Sequence, residues 1–417
     1  MMKKCCFLSA IGMALIPFFS FALDVELTNS IERISTGFPI EPSLSRDGKR
    51  AYLVYEINVE DSVSPPINLA AEIFTNREGK LHSDAILIGD DQFFSIDDGF
   101  ANPDFTKFSL IDDDGIQAVR VRIFDQNFKV QAERVFTDFV GGNPANPFYS
   151  ALGGTFSDDG KYIVFSYLID GTPDHQKTIV RVLDAEQLSE VTHTKVHGGS
   201  PGSTFFSFNH ENYVALTTYE GEFFFAFNNP LAAQPSKLKI FKFDDKQLKC
   251  VDEALLPQQS GVPTTFSSCG KVLIGIGTAR AVLKGEETIF ADNSGNQSFL
   301  PHDNRELRLY SFDGRRLKLV LAEETGVTTN SPIFSSKDLV LVNEQAVDGS
   351  PGSFNLFSLK KQLEGKLKLS WIEGAFVSPP FHTSTFSENG KWLLVTGSDQ
   401  SVDLNDINLY RIGSSHQ

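Results

Sequence analysis

Short runs of apolar, β-branched and aromatic residues alternate with polar turns along the chain, and no helical period persists through them. Residues 162–168, 272–276 and 392–396 have strand composition; residues 179–183, 238–243, 307–312 and 407–412 alternate in the same register; residues 317–321 and 367–371 follow after short polar turns. A recurring turn precedes the first run of each group. Its copies are Leu44-Ser45-Arg46-Asp47-Gly48-Lys49, Phe94-Ser95-Ile96-Asp97-Asp98-Gly99, Phe156-Ser157-Asp158-Asp159-Gly160-Lys161, Phe206-Ser207-Phe208-Asn209, Phe266-Ser267-Ser268-Cys269-Gly270-Lys271, Phe334-Ser335-Ser336-Lys337-Asp338 and Phe386-Ser387-Glu388-Asn389-Gly390-Lys391.

Each unit predicts a four-stranded antiparallel meander, in which Asp-Gly and Asn-Gly steps supply the positive φ of tight hairpins. The spacing, averaging 57 residues, is the scale of one propeller blade with variable loops. The last unit ends after its third strand, while residues 25–35 form an orphan strand ahead of the first. The expected fold is therefore all-β, a seven-bladed β-propeller of four-stranded antiparallel blades. Blades start near residues 37, 89, 141, 198, 259, 327 and 377; residues 23–36 complete the last blade and close the ring, and residues 413–417 are a tail.

The repeat resembles the Phe-Ser-x-Asp-Gly-Lys unit of TolB-type and WD-like propellers, and its blade order is similar to that of lactonase-type propellers. The resemblance covers the whole mature chain and implies an exported binding module, a scaffold of complexes or, less often, an enzyme.

Charge and termini add an address. The 417 residues include 37 Lys plus Arg against 53 Asp plus Glu, a net charge of −16, which argues against a phosphate-tracking surface and against nucleic acid as partner. Residues 1–22 combine Lys3-Lys4, an apolar run and Ser20-Phe21-Ala22, the pattern of a secretory signal peptide cut before Leu23. That run is short for a membrane span and is broken by Pro17. The expected location is the periplasm or the extracellular medium. Cys5 and Cys6 leave with the signal; Cys250 and Cys269 fall at the outer strand and the inner turn of neighbouring blades, an unfavourable separation for a disulfide.

In such a meander the first-to-second and third-to-fourth turns share one face of the disc. The longer second-to-third loops and blade crossings share the other, where binding residues concentrate. There Phe223, Phe224, Phe225 and Phe227 form an aromatic loop, and His197, His302, His382 and Asn330 fall near the channel mouth; these eight are the candidate binding residues. Asp292-Asn293-Ser294-Gly295-Asn296 is only loosely like a calcium loop, since Gln297 takes the place of its glycine. The three histidines come from separate loops, so no metal is expected. Gly198-Gly199-Ser200-Pro201-Gly202 matches a nucleophile motif in letters but lacks its strand-to-helix elbow, and the acidic runs Asp90-Asp91, Asp97-Asp98 and Asp112-Asp113-Asp114 read as solvated turns. No catalytic residue and no cofactor is expected. The reading is a protein- or peptide-binding module acting through its long-loop face. The alternatives are a lactonase- or hydrolase-type enzyme at the channel mouth and a carbohydrate-binding envelope protein.

Overall fold

In the computed structural model the recurring turn closes on itself, and this closure sets where the strands begin. Ser157 Oγ donates to Asp159 Oδ1 (2.7 Å) and accepts from the Tyr162 N–H (3.0 Å), while the Lys161 N–H donates to the same carboxylate oxygen (3.1 Å). Ser45, Asp47, Lys49 and Arg50 repeat the pattern, as do Ser387, Asn389, Lys391 and Trp392. Gly48, Gly160 and Gly390 complete these turns at φ of +70°, +70° and +62°, a region that costs an L side chain about 1–2 kcal/mol.

The structure describes residues 23–34, 42–58, 67–88, 95–114, 117–139, 153–170, 176–200, 202–218, 236–244, 246–256, 263–268, 271–279, 287–291, 297–301, 305–324, 333–334, 339–344, 352–361, 367–378, 381–399 and 404–414.

Strand β1 (Leu23–Ile34) comes first in the chain but belongs to the last sheet. The first sheet orders β2 (Ser43–Leu44), β3 (Arg50–Asn58), β4 (Ile67–Arg77) and β5 (Lys80–Ile88) side by side. The second follows with β6 (Ser95–Ala101), β7 (Phe108–Asp113), β8 (Val119–Phe124) and β9 (Val130–Phe136), and the third with β10 (Gly153–Phe156), β11 (Tyr162–Asp170), β12 (Lys177–Asp184) and β13 (Glu190–His197). The fourth contains β14 (Ser203–Phe208), β15 (Glu211–Thr218), β16 (Lys237–Phe243) and β17 (Leu248–Leu255). The fifth uses β18 (Thr264–Ser268) and β19 (Lys271–Ala279), and then passes through a separate hairpin, β20 (Glu287–Ala291) with β21 (Gln297–Pro301). It resumes with β22 (Arg305–Phe312) and β23 (Leu317–Glu324). The sixth comprises β24 (Ile333–Phe334), β25 (Leu339–Glu344), β26 (Gly352–Lys361) and β27 (Leu367–Ser378). The last sheet is composite: β28 (Phe381–Phe386), β29 (Trp392–Asp399) and β30 (Leu404–Ser414) are joined at the outer edge by β1. The pairings between these strands are antiparallel among the described residues, with one isolated parallel bridge between Lys177 and Gly198, and β1 runs from Leu23 opposite Ser414 to Ile34 opposite Leu404. These four-stranded antiparallel blades define an all-β propeller.

Apolar clusters lie between neighbouring blades rather than within one. Tyr52, Val54 and Ile73 of the first sheet pack with Phe108, Leu110 and Phe124 of the second. Ile111, Val121 and Ile123 pack in turn with Ile163, Phe165 and Tyr167 of the third. Ala51, Leu53 and Phe74 of the first sheet share a cluster with Leu394, Ile407 and Leu409 of the last.

One copy of the sequence repeat is displaced. The segment from Ser95 to Gly99 is the inner strand β6, not a turn; the turn of that blade is Asn102–Lys107, where Asn102 Oδ1 accepts from the Thr106 and Lys107 N–H groups at 2.8 and 2.9 Å. A second repeat was not apparent from the sequence. Asp125, Asp184, Asp244 and Asp313 close the third-to-fourth turns by accepting backbone N–H groups within the turn. In two of these turns Phe128 and Leu188 take φ of +56° and +54°, a strained conformation for bulky residues. Burial of their side chains between blades offsets that strain.

Candidate functional site

Turn chemistry divides the two faces. No first-to-second or third-to-fourth turn is longer than six residues, whereas connections on the other face reach 16 residues between β9 and β10, 18 between β15 and β16 and 25 between β19 and β22. The last of these carries the β20–β21 hairpin.

Beneath this loop-rich face lies a layer of buried charge. Strand β7 continues through the acidic run to Asp113, so Asp112 and Asp113 are buried at 2% and 1% exposure and not solvated as the sequence suggests. In the β7–β8 ladder Asp112 faces Arg120 and Leu110 faces Arg122, which puts both guanidinium groups beside one carboxylate. Arg120 Nε lies 3.2 and 3.1 Å from the two Asp112 oxygens, and Arg122 Nη2 lies 3.2 Å from Oδ2. The three side chains fill the gap between the first and second blades, next to Phe124, whose ring centroid is 5.5 Å from the Arg122 guanidinium. The sequence signal was Arg120-x-Arg122, two cations on one face of a strand that is otherwise apolar.

The charge continues to either side. Asp98, on the inner strand β6, accepts the Gly154 N–H of the third blade at 2.7 Å. A side chain at Gly154 would lie 2.7 Å from the Val164 carbonyl oxygen, so the close approach there requires glycine. Tyr52 donates to the Ser109 carbonyl (3.1 Å), and Tyr55 donates to the buried Glu72 (2.8 Å). Between the second and third blades Arg181 is gripped by Asp138, Glu190 and the Tyr167 hydroxyl. Its guanidinium lies 4.6 Å from the centroid of the Phe136 ring. His193 Nδ1 lies 2.8 Å from Glu190.

Burial and neighbouring charges displace three of these groups, Tyr167, Tyr52 and Glu190, from their ordinary ranges. Burial, and then the hydrogen bond to Asp138, push the Tyr167 hydroxyl well above the ordinary tyrosine range. Burial also raises Tyr52, reinforced by the charge of Asp98. Burial opposes ionisation of Glu190, but His193 and Arg181 outweigh it and hold the carboxyl below its usual range. Among the described residues, every carboxyl with a clear displacement is pushed down and every such tyrosine up.

The residues expected from sequence are spread widely. His197 ends the outer strand β13 and is exposed; His382 lies on the inner strand β28, opposite Gly397. Their sheets, the third and the last, are not neighbours in the chain of blades, so the structure does not pair these two. Phe223, Phe224, Phe225, Phe227, His302 and Asn330 lie outside the described residues, as do residues 292–296 and Cys269. Cys250 is a free, exposed thiol on β17. Among the described residues no group of three or more His, Cys, Asp or Glu is placed to hold a metal ion, and no helix is long and apolar enough to cross a membrane.

The fold thus defines a β-propeller. No known protein family and no curated protein matches the chain in sequence. Among solved structures it is similar to a hydrazine synthase chain of Kuenenia stuttgartiensis at 10% identity, covering 92% of this chain and 98% of that one with a TM-score of 0.55. It is also similar to a chain of a mitotic checkpoint complex at 10% identity, covering 99% and 100% with a TM-score of 0.52. A periplasmic gluconolactonase of Pseudomonas aeruginosa aligns at 14% identity over 82% of this chain and 89% of that one, with a TM-score of 0.45. At these identities the likeness is one of fold.

Proposed function

We propose that this protein is an exported, seven-bladed propeller that binds a protein or peptide partner through its loop-rich face. The observation that carries the reading is the asymmetry of connections: one face is closed by short turns that satisfy their own backbone, and every long segment leaves from the other. Rigid support under variable loops is the arrangement that recognition surfaces use. What supports the ring is the apolar cluster joining the last sheet to the first. What supports export is the pattern of residues 1–22. Binding is favoured over hydrolysis by the buried Asp112, Arg120 and Arg122 cluster, a stiff ion-paired support between blades beneath the loops. The net charge of −16 favours a partner with a cationic face.

The test is in-cell cross-linking of the full chain from the loop-rich face. The native protein is compared with a variant in which Phe223, Phe224, Phe225 and Phe227 are replaced by Ser, after the two are shown to unfold at the same temperature. The expected result is one partner, captured by the native chain, lost from the variant and rebound by purified native protein. The same capture by both, or none by either, overturns the reading and turns attention to substrates at the channel mouth.

A further inference from the structure

The residue after the serine of the repeated turn sends its side chain to another blade. In the last, first and third blades it is Glu388, Arg46 and Asp158, and Arg46 reaches both of the others. Its Nε lies 2.9 Å from Glu388 Oε2, and its Nη2 lies 3.3 Å from the Asp158 carbonyl oxygen. Both ends of that bridge are anchored in turn. Asn389 donates its backbone N–H to the Arg46 carbonyl (3.1 Å) and its Nδ2–H to the Asp47 carbonyl (3.0 Å), while Asp158 Oδ2 accepts the Ser207 N–H of the fourth blade (3.0 Å).

The order of the blades decides what this bridge spans. Inner strand β2 lies against β6, β6 against β10, β10 against β14, β14 against β18, β18 against β24, β24 against β28, and β28 against β2. In the seven-bladed ring of the reading above, the last and third blades are then three steps apart, the widest separation such a ring permits. A single guanidinium that touches the inner turn of each sits across the middle of the ring and not at its rim. We propose that Arg46 bars the central channel at its short-turn end, so that the channel is a blind well entered from the loop-rich face alone. The proposal rests on the ring in that reading and adds to it the direction of entry. The wall of the well is polar near its floor. Ser43, Thr155, Thr265 and Thr385 occupy one register position, two residues before the turn serine, in the first, third, fifth and last blades, and all four are half-buried. An inner strand has its own blade along one edge and neighbouring blades on both faces, so the water that reaches this position comes from the channel. The bar itself stands in water, with Arg46 and Glu388 at 56% and 59% exposure. An ion pair so placed is weakened by salt, and it closes the opening by where it lies more than by its strength.

The experiment measures access to a thiol just above the bar. The four native cysteines are replaced by alanine, and Thr155→Cys serves as the reporter. The probe is an uncharged biotin–polyethylene glycol maleimide, bulky enough to need an open path. Native Arg46 is compared with Arg46→Ala and with Lys161→Ala, which removes an exposed cation paired within its own turn to Asp159 (3.1 Å), once all three are shown to unfold at the same urea concentration. The expected result is labelling about tenfold faster with Arg46→Ala, as for a site that no longer waits on a local opening, and unchanged with Lys161→Ala. Raising the salt from about 0.05 to 1 M should speed labelling of the chain with native Arg46 and leave the Arg46→Ala chain as it is. Equal rates with and without Arg46 overturn the proposal while the ring stands. Equal speeding by Lys161→Ala also overturns it, because the whole face would then have loosened and no bar been lifted. A folded chain with native Arg46 that reacts as fast as the denatured chain sinks the ring itself, and the proposal with it. Partner capture from the loop-rich face reads neither the ring nor the bar, so its failure is told apart from both.

Discussion

Replacing Asp112 with Asn tests whether the buried charge layer holds the blades together. Asp112 is 2% exposed and lies beside both Arg120 and Arg122, which are 4% and 6% exposed. Neutralising it keeps the shape but leaves two guanidinium groups without the carboxylate they share. Breaking a buried pair from one side costs about 3–5 kcal/mol. Unfolding entropy of about 2.1 cal/mol/K per residue, over a mature chain of roughly 390 residues, makes that about 4–6 °C of Tm if the blades unfold together. Urea unfolding followed by tyrosine fluorescence, with calorimetry alongside, gives both numbers. The triple replacement Asp112→Leu, Arg120→Met and Arg122→Met removes the penalty together with the pair, and should fall within about 1–2 kcal/mol of the native protein. A loss below about 1 kcal/mol for Asp112→Asn would refute the reasoning, because it would mean that water reaches the arginines. So would a triple variant less stable than the single one.

Four further outcomes follow from the geometry. Gly48→Ala and Gly160→Ala both force a side chain to φ of +70°, but the new Cβ meets Trp392 Cδ1 at 2.2 Å in the first and nothing closer than 3.5 Å in the second; the unfolding free energy from urea titration should fall by about 1–2 kcal/mol for Gly160→Ala and by clearly more for Gly48→Ala. Ser157→Ala removes the hydroxyl that bridges Asp159 and the Tyr162 N–H, and should cost about 1–2 kcal/mol by the same titration. Glu190 has a carboxyl held below its ordinary value of 4.5, so its stabilisation is full above that pH and lost as the pH falls through the lowered value; Glu190→Gln should flatten stability between pH 5 and the acid transition, measured at about half-unit steps. Cys250 is exposed, and burial of part of its thiol raises its pKa, so a thiol reagent should label it in the folded protein, slowly at neutral pH and faster above pH 9; a folded chain that stays unlabelled under alkaline conditions would show that the sulfur is bonded.

The legible parts of this fold were those set by neighbours in sequence. Ser45 and Asp47, Ser157 and Asp159, and Ser387 and Asn389 make their hydrogen bonds within five residues, so the letters alone carry the turn. Strands such as β11 and β12 were readable for the same reason: an apolar run is bounded by its own turn signals. Residues 25–35 were legible as a strand because they alternate, and β1 covers Leu23–Ile34. The displaced copy at Ser95 had the right letters, but its backbone is the extended strand β6, and Asn102 builds the turn of that blade instead. Asp112 was misread because local polarity says solvent, while what neutralises it sits on the next strand. Only the β7–β8 register shows that Arg120 arrives opposite. The expected aromatic loop at Phe223–Phe227 had no comparable check, since it lies outside the described residues.

The self-satisfied turns have an evolutionary consequence. Because Ser157 with Asp159, or Asp125 with the amides that follow it, closes a turn without help from the opposite face, mutation can work on the two faces almost independently. Insertions such as the β20–β21 hairpin can be tried, kept or discarded on one side while the other goes on specifying the blade. A lineage carrying this frame can change what it recognises many times over and still inherit the same fold.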